Sequence, residues 1–235
     1  MKNFIVLSLF PNMFEEFIKT SVIGRSVEKG LVNISVINFR DFSNDKHKRV
    51  DFSPYGGGSG MVISPEPLDA AIKYAFRELG NDKQIKIIYL SPRGRVLNYS
   101  ISKEIADNDY NYILVCGHYE GIDERIIKKY NMDEISIGDY VLTGGELASQ
   151  VLIDSVVRLI PSAIDEESLK EESHTKTLLE YPQYTKPDDF CGMIVPEILK
   201  SGNHKKIEEY RKQESIRITK KYRQDLYEKY KKEGN

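Results

Sequence analysis

The chain reads as an α/β protein built on a mostly parallel sheet with helices on both faces, and three observations predict it. Short apolar runs alternate along the chain with stretches of helical periodicity, the order that buries a parallel sheet between helices. The elements fall in the order β-α-β-loop-α-β-α-β-α-β-α. Three of the runs end in glycine-rich or polar segments: Ser91-Pro92-Arg93-Gly94, Gly117-His118-Tyr119-Glu120-Gly121, and the end of the stretch 135–146. In such sheets ligands bind beyond the carboxyl ends of the strands.

The elements follow in order. Residues 4–10 form an apolar run ended by Pro11-Asn12 and read as a buried strand, and 13–26 then has helical periodicity. Residues 32–37 alternate and give a second strand, after which 40–64 is polar and glycine-rich. Leu68, Ala71, Ile72 and Phe76 mark an amphipathic helix over 68–79. A third strand over 85–90 is expected to stop at Ser91-Pro92-Arg93-Gly94, and a helix over 100–108 leads to a fully apolar strand at 112–116. Asp123 starts a helix over 122–129, 134–142 reads as a further strand, and 145–159 as a helix. Beyond Pro161 the pattern changes. Residues 162–176 are acidic with little periodicity and read as a linker, open to disorder until a partner orders it. Residues 194–219 and 220–232 read as helices. The division expected is 1–161, a linker at 162–176, and a helical domain at 177–235.

Stretch 135–146 packs apolar residues, Gly138, Gly144-Gly145 and the carboxylates of Asp139 and Glu146 into twelve positions. That composition suits a small-molecule pocket that the backbone approaches closely, or a strand end and turn capping the next helix.

Charge excludes some classes. The net charge is −2, but from residue 200 onward 12 Lys and Arg face 6 Asp and Glu, leaving the body acidic. The tail is a candidate for meeting phosphates, or a solvated helical face. Cys116 and Cys191 lie far apart, and the four histidines lack ligand spacing, so neither a disulfide framework nor a zinc site is indicated. There is no phosphate-loop, dinucleotide or nucleophile-elbow motif. No run approaches the roughly 18 apolar residues of a membrane span, and the N-terminal run lacks a cationic flank. The expectation is a soluble, cytoplasmic protein without a membrane partner.

Several longer motifs then accumulate: Leu9-Phe10-Pro11-Asn12-Met13-Phe14, Pro54-Tyr55-Gly56-Gly57-Gly58-Ser59-Gly60-Met61, Gly117-His118-Tyr119-Glu120-Gly121-Ile122-Asp123-Glu124-Arg125, stretch 135–146, Pro182-Gln183-Tyr184-Thr185-Lys186-Pro187, and Ser201-Gly202-Asn203-His204. In this order, over nearly the whole chain, they closely resemble the bacterial tRNA (guanine-N1-)-methyltransferase family. The resemblance implies a SPOUT-type α/β domain whose C-terminal part is tied into a trefoil knot, a small helical domain, and a homodimer. It implies S-adenosylmethionine bound by three loops, which correspond here to Tyr89, Leu90, Ser91 and Pro92; to Gly117; and to Ile137, Gly138, Asp139, Tyr140, Val141 and Leu142 with Gly144 and Gly145. It also implies Mg2+ dependence and a grip on the anticodon arm of tRNA by the basic C-terminal domain.

The implied reaction methylates N1 of the guanosine just 3′ of the anticodon, position 37. N1 carries a proton at neutral pH and negative charge grows on O6, so the chemistry calls for a base and a cation. The family's base is a linker aspartate followed by serine. Glu172-Ser173 stands at that position, with Glu171 beside it as the alternative. Arg158 matches the cation, while Asp51 and Glu120 match two further family carboxylates. Phe52, Ser53, Arg93 and His118 depart from the family pattern. Two other readings stay open: an RNA-binding homologue with altered catalysis, and a knotted methyltransferase acting on ribose 2′-OH or ribosomal RNA.

Overall fold

In the computed structural model, which describes residues 1–165, 172–175 and 177–233, the chain divides into two compact units, Met1–Ile164 and Asp165–Asn235. The first is a five-stranded parallel sheet of β1 (Lys2–Ser8), β2 (Val32–Asn38), β5 (Ile85–Val96), β6 (Asn111–Cys116) and β7 (Asp133–Ser136), in the order β2-β1-β6-β5-β7. A two-stranded antiparallel ribbon, β3 (Asp51–Phe52) with β4 (Val62–Ile63), carries the glycine-rich loop.

Side chains alternate across the sheet and build two cores. Phe4, Val6, Tyr112 and Leu114 pack with α1 (Ser21–Glu28), α3 (Tyr99–Asp107) and α5 (Glu146–Val157). Ile5, Leu7, Ile113 and Val115 pack on the other face with α2 (Pro65–Leu79) and α4 (Glu124–Tyr130). All six residues of β6 are buried, which explains why that run is apolar rather than alternating. Leu114→Ala should therefore lower the unfolding free energy by about 2–5 kcal/mol, measured as a drop in the urea midpoint. A loss well under about 1 kcal/mol would contradict its central place.

Four expectations are corrected. The helix read at 13–26 is broken into a 3-10 turn, Pro11–Phe14, and α1. Thr20 Oγ1 donates to the Glu16 carbonyl at 2.7 Å and Ser21 takes a positive φ of 55°, so a local side-chain bond competes with the helix at that point. The strand at 85–90 does not stop at Leu90. It bulges, because Leu90 and Arg95 both pair with Ile135; Pro92, which has no N–H to give, sits inside the irregular segment. The strand read at 134–142 ends at Ser136, whose hydroxyl donates to the Gly138 carbonyl at 2.9 Å and accepts from Gly138 N at 3.2 Å, closing a turn.

The last correction lies in the C-terminal unit. The helix read at 194–219 is replaced by a hairpin, β8 (Asp189–Phe190) with β9 (Met193–Ile194), then α6 (Glu197–Lys200) and α7 (His204–Tyr222), with α8 (Gln224–Lys232) after it. Cys191 and Gly192 both have positive φ, the requirement of a tight two-residue hairpin. Gly202, at φ 70°, breaks the helix, and the Asn203 side chain restarts it by accepting from Lys206 N at 3.2 Å. The linker expected at 162–176 spans the division between the units; residues 166–171 and 176, Glu171 among them, lie outside the described residues.

Candidate functional site

Strand order brings the carboxyl ends of β5, β6 and β7 side by side, and a cavity of about 360 Å³ opens there. Each of the three segments singled out in the sequence lines it. Tyr89, Leu90, Ser91 and Pro92 come from β5, and Gly117 and Glu120 from the loop after β6. Ile137, Tyr140, Val141, Leu142, Gly144 and Gly145 come from the turn after β7. Gly138 and Asp139 belong to that turn but not to the lining. Volume and concavity suit a small organic ligand.

Glycine is needed where backbones meet. Gly145 N donates to the Gly117 carbonyl at 2.9 Å, and a Cβ on Gly145 would lie 2.8 Å from Cys116 Cα. A Cβ on Gly117 would lie 2.8 Å from the Tyr89 hydroxyl oxygen. With side chains kept back at these points, main-chain groups form part of the wall, the arrangement expected for recognition of a heterocycle by N–H and C=O.

The glycine-rich loop meets the same rim. Glu120 N donates to the Met61 carbonyl and Ile63 N to the Gly121 carbonyl, both at 3.0 Å, and a side chain at Gly60 would collide with the Glu120 carboxylate. Asp51 lies on β3, paired with Ile63, and does not line the cavity. Arg93 does, but its guanidinium is held by Glu134 and Glu124, each at 2.7 Å. These ion pairs push its pKa up, Glu134 first, so its charge is balanced within the wall. Burial raises the pKa of Tyr89 and of Cys116, whose thiol meets Ser149 Oγ at 3.1 Å. Both groups stay protonated at neutral pH.

The other expected side chains do not line this cavity. Arg158 is the C-cap of α5, and α5 starts at the cavity wall, so twelve residues at 1.5 Å each put Arg158 about 18 Å along the axis from it. Glu172 lines a second cavity of about 610 Å³ within the C-terminal unit, with Tyr181, Arg211 and Lys212. Arg211 stacks on the Tyr181 ring at 4.6 Å. Sequence reasoning missed the buried contact of Ser8 with Glu146; 138 residues separate the two, and no local pattern marks it. Among the described residues, no three His, Cys, Asp or Glu side chains gather as a metal site, and no helix is long and apolar enough to cross a membrane.

A parallel sheet whose neighbouring strand ends frame a glycine-walled cavity defines an α/β protein with a cavity at its carboxyl edge, where sheets of this kind bind ligands. Comparison with known proteins narrows the class. The model of the tRNA (guanine-1)-methyltransferase TrmD family matches residues 1–229, and the chain belongs to that family. It is 53% identical over 227 residues to the tRNA (guanine-N(1)-)-methyltransferase of Clostridioides difficile, covering 96% of this chain and 97% of that protein. The enzyme of the same name from Ruminiclostridium cellulolyticum is 51% identical, covering 96% of each chain. That of Malacoplasma penetrans is 49% identical, covering 97% of this chain and 98% of its own.

Proposed function

We propose that this protein transfers a methyl group to N1 of the guanosine 3′ of the anticodon, position 37, in tRNA, using S-adenosylmethionine bound at the carboxyl ends of β5, β6 and β7. Membership of the family makes it an enzyme of tRNA methylation. The observation that carries the cofactor assignment is the cavity itself, walled by Gly117, Gly144 and Gly145, where added side chains would collide. When bound, S-adenosylmethionine supplies an electrophilic methyl group on a sulfonium. The backbone of Leu90, Gly117 and Leu142 would orient it, and Tyr89 and Ile137 would exclude water. Glu172 would take the N1 proton as attack proceeds, and Arg158 would balance the charge developing on O6.

Further parts of the reading have some support in the structure and sequence. Within one chain Arg158 stands at the far end of α5 from the cavity, so its role favours a homodimer in which a second copy completes the site. Leu147 and Val151 on α5, with Phe10 and Met13 near it, are exposed apolar residues suited to such a contact. The link from Gly145 N to the Gly117 carbonyl, with the antiparallel bridge from His118 to Gly144, supports a trefoil knot in which the chain after β7 passes beneath the loop after β6. Mg2+ typically takes one or two carboxylates and keeps its waters; Glu120 at the rim fits that role, where the ion would neutralise charge. Asp51 would act from the neighbouring ribbon. The C-terminal unit, rich in Lys and Arg from residue 200 onward, would grip the anticodon arm.

The test is methyl transfer to unmodified tRNA bearing guanosine after the anticodon, with nucleoside analysis of the product. The expected product is 1-methylguanosine. Ribose methylation would overturn the reading, and binding of both substrates without methylation would favour an RNA-binding homologue with altered catalysis. Phosphate contacts release counterions, so tRNA affinity should fall with salt at a log–log slope steeper than about −2. A flat dependence would remove the basic tail from the interface.

A further inference from the structure

Arg93 has no part in the reaction proposed, yet it joins the three segments that frame the cavity. It stands in the bulge of β5. Its Nε donates to Glu134 Oε2 at 2.7 Å and its Nη2 to Glu134 Oε1 at 2.9 Å, a two-pronged bond to β7 just ahead of the turn at 137–142. The same Nη2 donates to Glu124 Oε2 at 2.7 Å. Glu124 is the first residue of α4 and follows the loop after β6. Carboxylates 31 and 41 positions further along the chain thus meet at one guanidinium.

The backbone there needs such a tie. Residues 91–94 are in register with neither β6 nor β7, so the ladder does not hold them, and fixing irregular chain costs conformational entropy at each residue. Gly94 lets the bulge lie flat on β7, since a Cβ there would sit 2.4 Å from the Glu134 carbonyl carbon. The neighbouring charges have partners of their own. Asp133 is paired with Arg95 at 2.6 Å and Asp123 with Arg125 at 2.7 Å, while Lys128 approaches Glu124 only to 3.7 Å. Glu124 and Glu134 both lie within hydrogen-bond reach of one nitrogen. Without the guanidinium between them, the two carboxylates would repel and spread the segments.

We propose that Arg93 is a positioning residue: through Glu134 and Glu124 it holds the β5 bulge, β7 and the start of α4 together, so that the cavity is already shaped when the methyl donor arrives. A site ordered beforehand spares the ligand the cost of ordering it. Arg93 and Glu124 line the cavity and Glu134 does not, so a change at Glu134 reaches a ligand through the clamp rather than by contact. The inference rests on the cofactor reading of that cavity.

Calorimetric titration with S-adenosylhomocysteine, the product left after methyl transfer and neutral overall, tests it free of the donor's own positive charge. Arg93→Met should weaken binding about fivefold, the scale of an exposed ion-pair network. Glu134→Gln should weaken it by a similar factor, and the double variant by under about twofold more than either alone, since residues that act as one unit are not additive. Unchanged binding in Glu134→Gln, or losses that multiply in the double variant, overturns the clamp. In steady-state methylation Arg93→Met should raise KM for S-adenosylmethionine about fivefold and leave kcat within about twofold of the wild type. A fall in kcat at unchanged KM would place Arg93 against the reacting atoms and overturn a positioning role. Without ligand, amide hydrogen exchange at 91–94 and 117–123 should be faster in Arg93→Met than in the wild type, and unchanged exchange there overturns the tie. Failure of the wild type to bind either S-adenosyl compound would sink the cofactor reading, whereas the exchange rates judge the joining of the segments independently of that reading.

Discussion

Glu172→Gln should lower the single-turnover rate of tRNA methylation by about two to four orders of magnitude, the scale of a lost general base, which is about 3–5.5 kcal/mol of barrier. The replacement keeps volume and hydrogen-bonding capacity but cannot accept the N1 proton. Affinity for S-adenosylmethionine should be unchanged, because the cavity proposed for it is built from the first unit alone. The local fold should also survive. It rests on main-chain and neighbouring side-chain bonds, with the Glu172 carbonyl accepting from Thr175 N at 3.2 Å and Ser173 Oγ accepting from Glu180 N at 3.0 Å. Arg211 and Lys212 line the same cavity as Glu172. A rate near that of the wild type would move the base to Glu171 or Asp51.

How far the sequence discloses this molecule differs from element to element. The strands of the sheet were legible because burial on both faces leaves five or six consecutive apolar residues, as at 112–116, a run too short for a helix. The bulge in β5 was not, since Pro92 and Gly94 signal a strand end and an irregular strand equally well. The hairpin at Asp189–Ile194 was hidden because Ile194, apolar yet exposed, read as the start of the helix that follows. The cavity was legible as three strand-end loops, because glycines clustered at strand ends have few uses other than turns and close approach. Its chemistry was less so. Contacts such as Ser8 with Glu146, and the approach of His118 to Gly144, depend on which strands become neighbours, a property of the whole chain that local pattern does not carry. The roles proposed for Glu172 and Arg158 come through family resemblance alone: in isolation one is an acidic linker residue and the other an arginine at a helix end.

Gly117→Val should weaken S-adenosylmethionine binding at least 100-fold, which cuts methylation by about tenfold or more at a donor concentration about ten times the wild-type Kd. Gly117 directly follows β6, buried, with its carbonyl tied to Gly145 N. A Cβ there would come within 2.8 Å of the Tyr89 hydroxyl oxygen and 2.9 Å of Cε2. Tyr89 is 7% exposed and packed into the core beneath the sheet, so the outlet for its ring is the cavity. Overpacking a well-filled site costs about 1–3 kcal/mol, and 100-fold in affinity is about 2.7 kcal/mol, so the two magnitudes are commensurate. What matters is where that energy is expressed. If the Tyr89 ring swings into the cavity, the strain is relieved at the expense of the ligand, and affinity falls while the thermal midpoint barely moves. If instead the loop after β6 springs open, stability falls with affinity. Gly117→Ala, with the smallest possible side chain, should then fall between wild type and Val in affinity with an unchanged melting point. Undiminished binding by Gly117→Val would mean that the donor does not lie at the carboxyl ends of β5, β6 and β7, and the placement of the site would have to be abandoned.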